Sequence, residues 1–208
     1  MEWYEAEVRD LERRVAASEE TCPIVFYGSS SIRMWTTLAE DIGTPHVLNL
    51  GFGGSTLEAC AYFFERLVVP AQPCSIVVYA GDNDLGDGRS PEQVMDSFRA
   101  LARKMKIYLP GISFGFISIK PSPARASISA RIQKANESIA NEISTLENAY
   151  FIDIYKSMLG ADGRSRADLY QSDGLHMSPG GYRLWTEAVS KYRSRIFTEE
   201  FSKTHHGE

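Results

Sequence analysis

The chain has 208 residues, of which 43% are hydrophobic and 24% are charged, the composition of a globular protein that can bury a sizeable core. Its net charge of −5 argues against a nucleic-acid-binding surface, which is usually basic. No apolar run reaches the roughly 18 residues that a membrane span needs. The N-terminus lacks the basic and then apolar pattern of a signal peptide, so we expect a cytoplasmic protein.

Apolar runs of strand length alternate with segments of helical period. Runs such as 75–79 are apolar throughout, which is typical of strands covered by helices on both faces. Ser90-Pro91 and Ser178-Pro179 each place a cap residue before a proline at the first helical position. The predicted strands are 23–28, 46–50, 74–80, 112–119 and 149–154, and the predicted helices are 3–19, 55–68, 91–108, 127–146 and 179–197.

This alternation predicts one doubly wound α/β domain over residues 1–208, with a five-stranded parallel sheet. We expect an N-terminal helix within 1–20 and a flexible polar tail over 199–208. In such sheets the ligand site lies beyond the carboxyl ends of the strands. The loops after the first three strands should therefore converge.

The cysteines are odd in number and widely spaced along the chain. Cys22, Cys60 and Cys74 form no C-x-x-C pair, so neither a zinc site nor a redox pair is indicated. Each lies in or beside an apolar run. We expect three separate thiols, buried or half-buried as small apolar side chains.

Two segments near opposite ends of the chain carry the parts of a nucleophilic triad. Asp173 precedes His176 by three residues, so its carboxylate can accept a hydrogen bond from one imidazole nitrogen and leave the other free. Ser30 follows the first predicted strand on a Gly/Ser turn. We therefore expect Ser30 as nucleophile, His176 as base and Asp173 as its orienting partner. A helix cap at Ser30, or Ser29 or Ser31 as the nucleophile, remains an alternative.

Acyl transfer through a serine also needs hydrogen-bond donors aimed at the developing oxyanion, each typically worth about 3 kcal/mol of barrier. We expect these donors to be the Ser30 amide, the Gly54 amide and the Asn83 side chain. Gly54 has no side chain to obstruct its N–H. Gly51 and Gly53 are close enough in sequence to be alternatives.

Other side chains near these loops have more than one interpretation. Asp82 and Asp84 are expected to order the turn or cap a helix, because a carboxylate beside an oxyanion would oppose its charge. Arg33 and Arg125 form either surface ion pairs or a basic lip for an anionic or sugar-like part of a substrate. Phe52 is expected either to line an acyl pocket or to pack in the core.

Four short blocks, in order, resemble those of the SGNH or GDSL hydrolases. The blocks are Gly28-Ser29-Ser30, Gly54 within Gly53-Gly54-Ser55-Thr56, Gly81-Asp82-Asn83-Asp84 and Asp173-Gly174-Leu175-His176. The resemblance covers about 22–190 and implies a three-layer α/β/α flavodoxin-like fold. It also implies a serine esterase that needs no metal or cofactor and acts on small-molecule esters, with the functional residues as assigned above.

One residue departs from the family pattern. Ser29 stands where the first block usually has Asp, so hydrogen bonds around the turn must come from Ser29 or Ser31. This makes the chain more similar to the small intracellular members and to the α subunits of platelet-activating-factor acetylhydrolase than to extracellular lipases. We expect a short-acyl esterase, able to form a homodimer.

A different class of function also fits part of the pattern. A Gly/Ser loop between a strand and a helix can bind phosphate, as in flavin-binding sheets of this topology. That interpretation leaves Asn83 and the Asp173–His176 pair unexplained. A catalytically silent scaffold is the third interpretation, and the complete set of candidate functional residues argues against it.

Overall fold

The computed structural model describes residues 1–197, and its centre is a five-stranded sheet. The strands are β1 (Ile24–Gly28), β2 (Val47–Gly51), β3 (Ser75–Tyr79), β4 (Ser113–Ile117) and β5 (Ala149–Ile152). They lie in the order β2-β1-β3-β4-β5, and every neighbouring pair is parallel. The predicted α/β class and five-stranded parallel sheet are confirmed. The strand order reverses direction between β1 and β3, which is where such sheets bind ligands.

Helices connect the strands. They are α1 (Glu5–Ala17), α2 (Ser30–Arg33), α3 (Leu38–Ile42), α4 (Leu57–Leu67), α5 (Asp82–Gly86), α6 (Pro91–Tyr108), α7 (Ser129–Ile143), α8 (Pro179–Ser190) and α9 (Arg193–Ile196). The five predicted helices are present, although 179–197 is divided between α8 and α9. The sequence indicated a helix after the first strand without giving its bounds, and it did not predict α3 and α5, because helices of four or five residues are too short to show a helical period.

Two hydrophobic clusters cover the two faces of the sheet. The first packs α1, α4, α6 and α7 on one face, and the second packs α3, α8 and α9 on the other. Alternate residues of β1 divide between them, since Val25 and Tyr27 belong to the first cluster and Ile24 and Phe26 to the second. This is the three-layer α/β/α arrangement. It also explains why the strand is apolar along its whole length.

The expectation of three separate thiols is wrong. Cys22 and Cys74 form a disulfide across a sequence separation of 52 residues, with their Cα atoms 4.7 Å apart. They lie just before β1 and β3, so the parallel pairing of these strands brings the cysteines together. Cys60 is a buried free thiol, and burial raises its pKa. Spacing alone could not reveal this pair, because the sheet creates the proximity.

Two further expectations concern the C-terminal tail and membrane spans. The tail over 199–208, with His205 and His206, lies outside the described residues. Within residues 1–197, no helix combines the length and the apolar character needed to cross a membrane.

The disulfide should contribute measurably to stability. The double substitution Cys22→Ser and Cys74→Ser should lower the free energy of unfolding by about 2–4 kcal/mol, because the open chain gains entropy when unfolded. Urea unfolding measures this. Reductant should reproduce the loss in the wild type and have no effect on the variant. Three reactive thiols in the denatured, unreduced wild type would contradict the disulfide.

Candidate active site

The turn after β1 presents Ser30 at the first position of α2. The Ser29 amide donates a hydrogen bond of 2.9 Å to the Tyr79 carbonyl oxygen at the end of β3. Gly28 has φ +139°, and a Cβ there would overlap the backbone of Tyr79. Only glycine allows β1 and β3 to approach this closely as the chain turns. Ser30 is thereby held at the point where the strand order reverses.

The structure brings together the three residues of the expected triad. Ser30 Oγ lies 3.2 Å from His176 Nε2, and His176 Nδ1 lies 2.6 Å from Asp173 Oδ2. The hydrogen bond from His176 lowers the pKa of Asp173 most, and the backbone amides of Leu175 and His176 lower it further, from 3.8 to about 2. Asp173 is therefore ionised at neutral pH. It holds the imidazole with Nε2 directed at the serine.

The turn that carries Asp173 and His176 is anchored to its surroundings. The Gln171 amide donates 2.8 Å to the His176 carbonyl oxygen, and the Gly174 carbonyl oxygen accepts 3.1 Å from the Ala124 amide. The second bond ties the turn to the loop after β4. Both bonds restrict where His176 can lie relative to Ser30.

The end of β2 and the loop after it contain three glycines, and two of their amides already donate hydrogen bonds within the protein. The Gly51 amide donates to Asn49 Oδ1 at 3.0 Å, and the Gly53 amide donates to Glu7 Oε2 at 2.8 Å. Gly54, with φ +66°, faces open space at its Cβ position. The alternatives Gly51 and Gly53 are thus occupied, which leaves Gly54 as the glycine able to turn its amide to a substrate.

Asn83 lies in the first turn of α5, next to that glycine loop. Its Nδ2 donates to the Ser55 carbonyl oxygen at 3.0 Å. The side-chain amide of Asn83 therefore contacts Ser55, the residue directly after Gly54. Its second N–H is available to a substrate oxygen. The three expected oxyanion donors all lie at the carboxyl end of the sheet.

A buried ion pair that the sequence did not reveal lies beneath the nucleophile turn. Lys120, 1% exposed, donates to Asp82 Oδ2 at 2.6 Å, to the Tyr79 hydroxyl at 3.0 Å and to Ser31 Oγ at 3.3 Å. Of the two serines expected to supply hydrogen bonds around the turn, Ser31 thus accepts one through its side chain. The available signal was a lysine shortly after the apolar fourth strand, and only its burial makes this lysine significant.

The two acidic neighbours of Asn83 have different roles. Asp84 Oδ2 accepts a hydrogen bond of 2.9 Å from the Leu57 amide at the start of α4, and burial raises the pKa of Asp84. Asp84 is thus a capping residue, although for a helix distant in sequence. Asp82 is neither a simple turn nor a capping residue, because it forms the ion pair with Lys120.

The residues expected to contact substrate lie in three different settings. Arg33 pairs with Glu7, with Nη1 3.2 Å from Oε1. Phe52 is fully buried among the rings of Tyr4, Tyr27 and Phe63, so it belongs to the core and does not line a pocket.

Arg125 lies at the rim of a cavity beside the histidine turn. Its Nε is 3.4 Å from Asp82 Oδ1. Arg125, Ser122 and Gln133 line this cavity of about 450 Å³. Ser122 Oγ is buried and has no hydrogen-bond partner among the described residues.

No cluster suited to a metal ion accompanies these residues. Nowhere in residues 1–197 do three or more His, Cys, Asp and Glu side chains lie together in a way that could hold one. The candidate site consists of the expected triad, the three expected oxyanion donors and the charged side chains around Asp82.

Residues 20–184 match the GDSL-like Lipase/Acylhydrolase family. The chain belongs to this family. It is therefore an ester-hydrolysing enzyme, and the alternative of a phosphate-binding module without hydrolase activity is excluded. Comparison with curated proteins gives no significant match.

Solved structures show the same fold. A Streptococcus pneumonia protein provisionally described as a platelet activating factor has 19% identity and a TM-score of 0.80, over 92% of this chain and 94% of that one. A GDSL-like lipase from Bacteroides thetaiotaomicron has 20% identity and a TM-score of 0.72, over 89% and 96%. A variant of an acetyl esterase with an acetate ion has 16% identity and a TM-score of 0.64, over 82% and 95%.

Asp173→Asn should separate the catalytic and stability effects of this carboxylate. We expect kcat to fall about 10⁴-fold, because the amide favours the wrong imidazole tautomer. The lowered pKa means that Asp173 stabilises the fold above pH 4 and loses this effect as pH falls through about 2. Ester hydrolysis at pH 7 and urea unfolding at pH 3 and 7 measure the two effects. Wild-type kcat in the variant would contradict the assignment.

Proposed function

We propose that this protein is a serine esterase that cleaves small, short-acyl esters through an acyl-enzyme on Ser30. The observation that carries the proposal is the continuous hydrogen-bonded chain from Ser30 through His176 to Asp173. Each member has the neighbour that its role requires. The nucleophile contacts a base, and the base contacts an ionised carboxylate.

The proposed reaction has two halves. Ser30 Oγ attacks the ester carbonyl while His176 Nε2 accepts the hydroxyl proton. The oxyanion is stabilised by the amides of Ser30 and Gly54 and by the side chain of Asn83. The tetrahedral intermediate then collapses, and the alcohol leaves with the proton from His176. Water, deprotonated by His176, attacks the acyl-enzyme and releases the acid and free Ser30.

Two observations support a short acyl group. The structurally similar acetyl esterase variant is accompanied by an acetate ion, the product of the smallest common acyl group. In this chain, β1 leads almost directly into α2, and β3 into α5. These tight strand-to-helix turns leave little chain there to enclose a long acyl group.

We further propose that the cavity beside Arg125 accepts an anionic or sugar-like part of the substrate. Two cations, Lys120 and Arg125, share the single carboxylate of Asp82, so positive charge remains uncompensated at the rim. Arg33 is the weaker candidate for this role, because Glu7 already neutralises it.

We also propose a homodimer and a location in the cytoplasm. A homodimer is compatible with the 86% exposed Trp3 at the N-terminal end. The proposed location in the cytoplasm conflicts with the Cys22–Cys74 disulfide, because thiols usually stay reduced in that compartment. Alkylation of thiols in intact cells tests the location, since a disulfide trapped there would indicate an oxidising compartment.

Ser30→Ala should abolish hydrolysis of a p-nitrophenyl ester series from acetyl to decanoyl, with a loss of about 10⁶-fold in kcat. The acetyl and butyryl esters should be the best substrates of the wild type. Ser29→Ala is the matched control. It should stay within twofold of the wild type, because the Ser29 side chain makes no hydrogen bond to the site among residues 1–197.

Two outcomes would contradict this proposal. Full activity of Ser30→Ala would show that another residue is the nucleophile. Activity that rises steadily to the decanoyl ester would contradict the short-acyl preference. If the wild type cleaves none of these esters, labelling of Ser30 by a fluorophosphonate would show that the serine is activated and that its substrate is narrower.

Arg125→Met should raise KM about tenfold for p-nitrophenyl hemisuccinate and less than twofold for the neutral butyrate, because one charge-assisted contact contributes roughly 1.5–3 kcal/mol. The methionine preserves the apolar stem, and Lys120 still neutralises Asp82. Steady-state kinetics with both esters gives the comparison. Equal changes in KM for the two esters would refute the role of Arg125.

A further inference from the structure

The N-terminal end of α1 contacts the glycine loop of the site directly. Glu7 Oε2 accepts a hydrogen bond of 2.8 Å from the Gly53 amide. The Tyr4 hydroxyl, just before α1, donates to the Gly54 carbonyl oxygen at 3.2 Å. Both contacts bridge more than 45 residues of sequence, so they result only from the docking of this helix on the loop.

These two bonds hold the peptide units on either side of the Gly53–Gly54 peptide. Glu7 holds the unit that carries the Gly53 amide, and Tyr4 holds the unit that carries the Gly54 carbonyl. Each unit is planar, so fixing both neighbours leaves the intervening peptide little rotation. That intervening peptide contains the Gly54 amide. Two successive glycines would otherwise be the most mobile part of the loop.

Both anchoring side chains are held in turn. The second oxygen of Glu7, Oε1, is 3.2 Å from Arg33 Nη1, and Arg33 lies in α2, the helix that begins with Ser30. One carboxylate therefore links the nucleophile helix to the glycine loop.

Aromatic packing fixes the tyrosine. The ring of Tyr4 packs edge-on against Phe52, with centroids 5.5 Å apart, and against Phe63 at 6.1 Å. The ring cannot turn away without losing these contacts, so its hydroxyl is directed at the loop. Phe52 thus supports the site from within the core.

We propose that Tyr4 and Glu7 are positioning residues, which orient the Gly54 amide as an oxyanion donor without contacting substrate. This inference rests on the proposed function, because it assumes that Gly54 stabilises the tetrahedral intermediate. A donor fixed before reaction needs no reorganisation during it, and this is the source of its catalytic effect. The N-terminal helix is then part of the catalytic apparatus as well as of the fold.

The test compares Tyr4→Phe and Glu7→Ala with the wild type on p-nitrophenyl acetate. Each should lower kcat about tenfold and leave KM within twofold, because the lost donor alignment matters most in the transition state. Glu7→Gln should recover most of the rate, since its side-chain oxygen can still accept from the Gly53 amide. Binding of phenylboronic acid, which forms a tetrahedral serine adduct, should weaken in parallel with kcat.

The matched control is Glu5→Ala on the same helix. Glu5 pairs with Arg66 at 2.7 Å and makes no hydrogen bond to the glycine loop among residues 1–197. Its removal should leave kcat unchanged, and thermal unfolding of all variants measures any loss of helix docking. An equal fall in kcat for Glu5→Ala would show a general structural effect and overturn the proposal.

Failure of this inference can be distinguished from failure of the proposed function. If Tyr4→Phe and Glu7→Ala keep wild-type kcat while Ser30→Ala is inactive, the positioning role is wrong and the esterase proposal stands. If Ser30→Ala is fully active, the esterase proposal itself is wrong. A Glu7→Gln variant as impaired as Glu7→Ala would also refute the hydrogen bond to Gly53 as the cause.

Discussion

The site depends on the pairing of β1 with β2 on one side and β3 on the other. Gly28 is in register with Gly51 and with Tyr79, so the strands β1, β2 and β3 end at the same level of the sheet. The loops that carry Ser30, Gly54 and Asn83 must then converge. A parallel sheet alone does not achieve this; it requires the reversal of strand order beside β1.

Charge buried beneath that junction joins a fourth loop to it. Lys120 follows β4, and its ammonium group contacts Asp82 and Ser31, which belong to the short helices α5 and α2 that follow β3 and β1. Removing one partner of a buried pair typically costs about 3–5 kcal/mol, because the other charge is left uncompensated. The pair therefore connects the turn that carries Ser30, the helix α5 that carries Asn83 and the cavity beside Arg125. Glu7 of α1 links the helix that begins with Ser30 to the glycine loop.

Sequence reasoning predicted candidate residues where a local pattern carries the information. The spacing of Asp173 and His176 and the strand before Ser30 are visible within a few residues, and the structure joins these segments by hydrogen bonds. It was wrong about Cys22 and Cys74, which lie 52 residues apart in the sequence. The pairing of β1 with β3 brings them together. For Phe52 the sequence left two alternatives open, a place in the wall of an acyl pocket and a place in the core. The complete burial of Phe52 shows that it belongs to the core.

By itself the sequence determined the class of fold, the number and direction of the strands, the family resemblance and the residues that make up the candidate site. Apolar periodicity and short motifs are local properties of the chain, and they can be read without coordinates. The tertiary structure alone decided which side chains support those residues. The contacts of Glu7 with Gly53 and of Lys120 with Asp82 join segments distant in the chain, and no local pattern encodes such proximity.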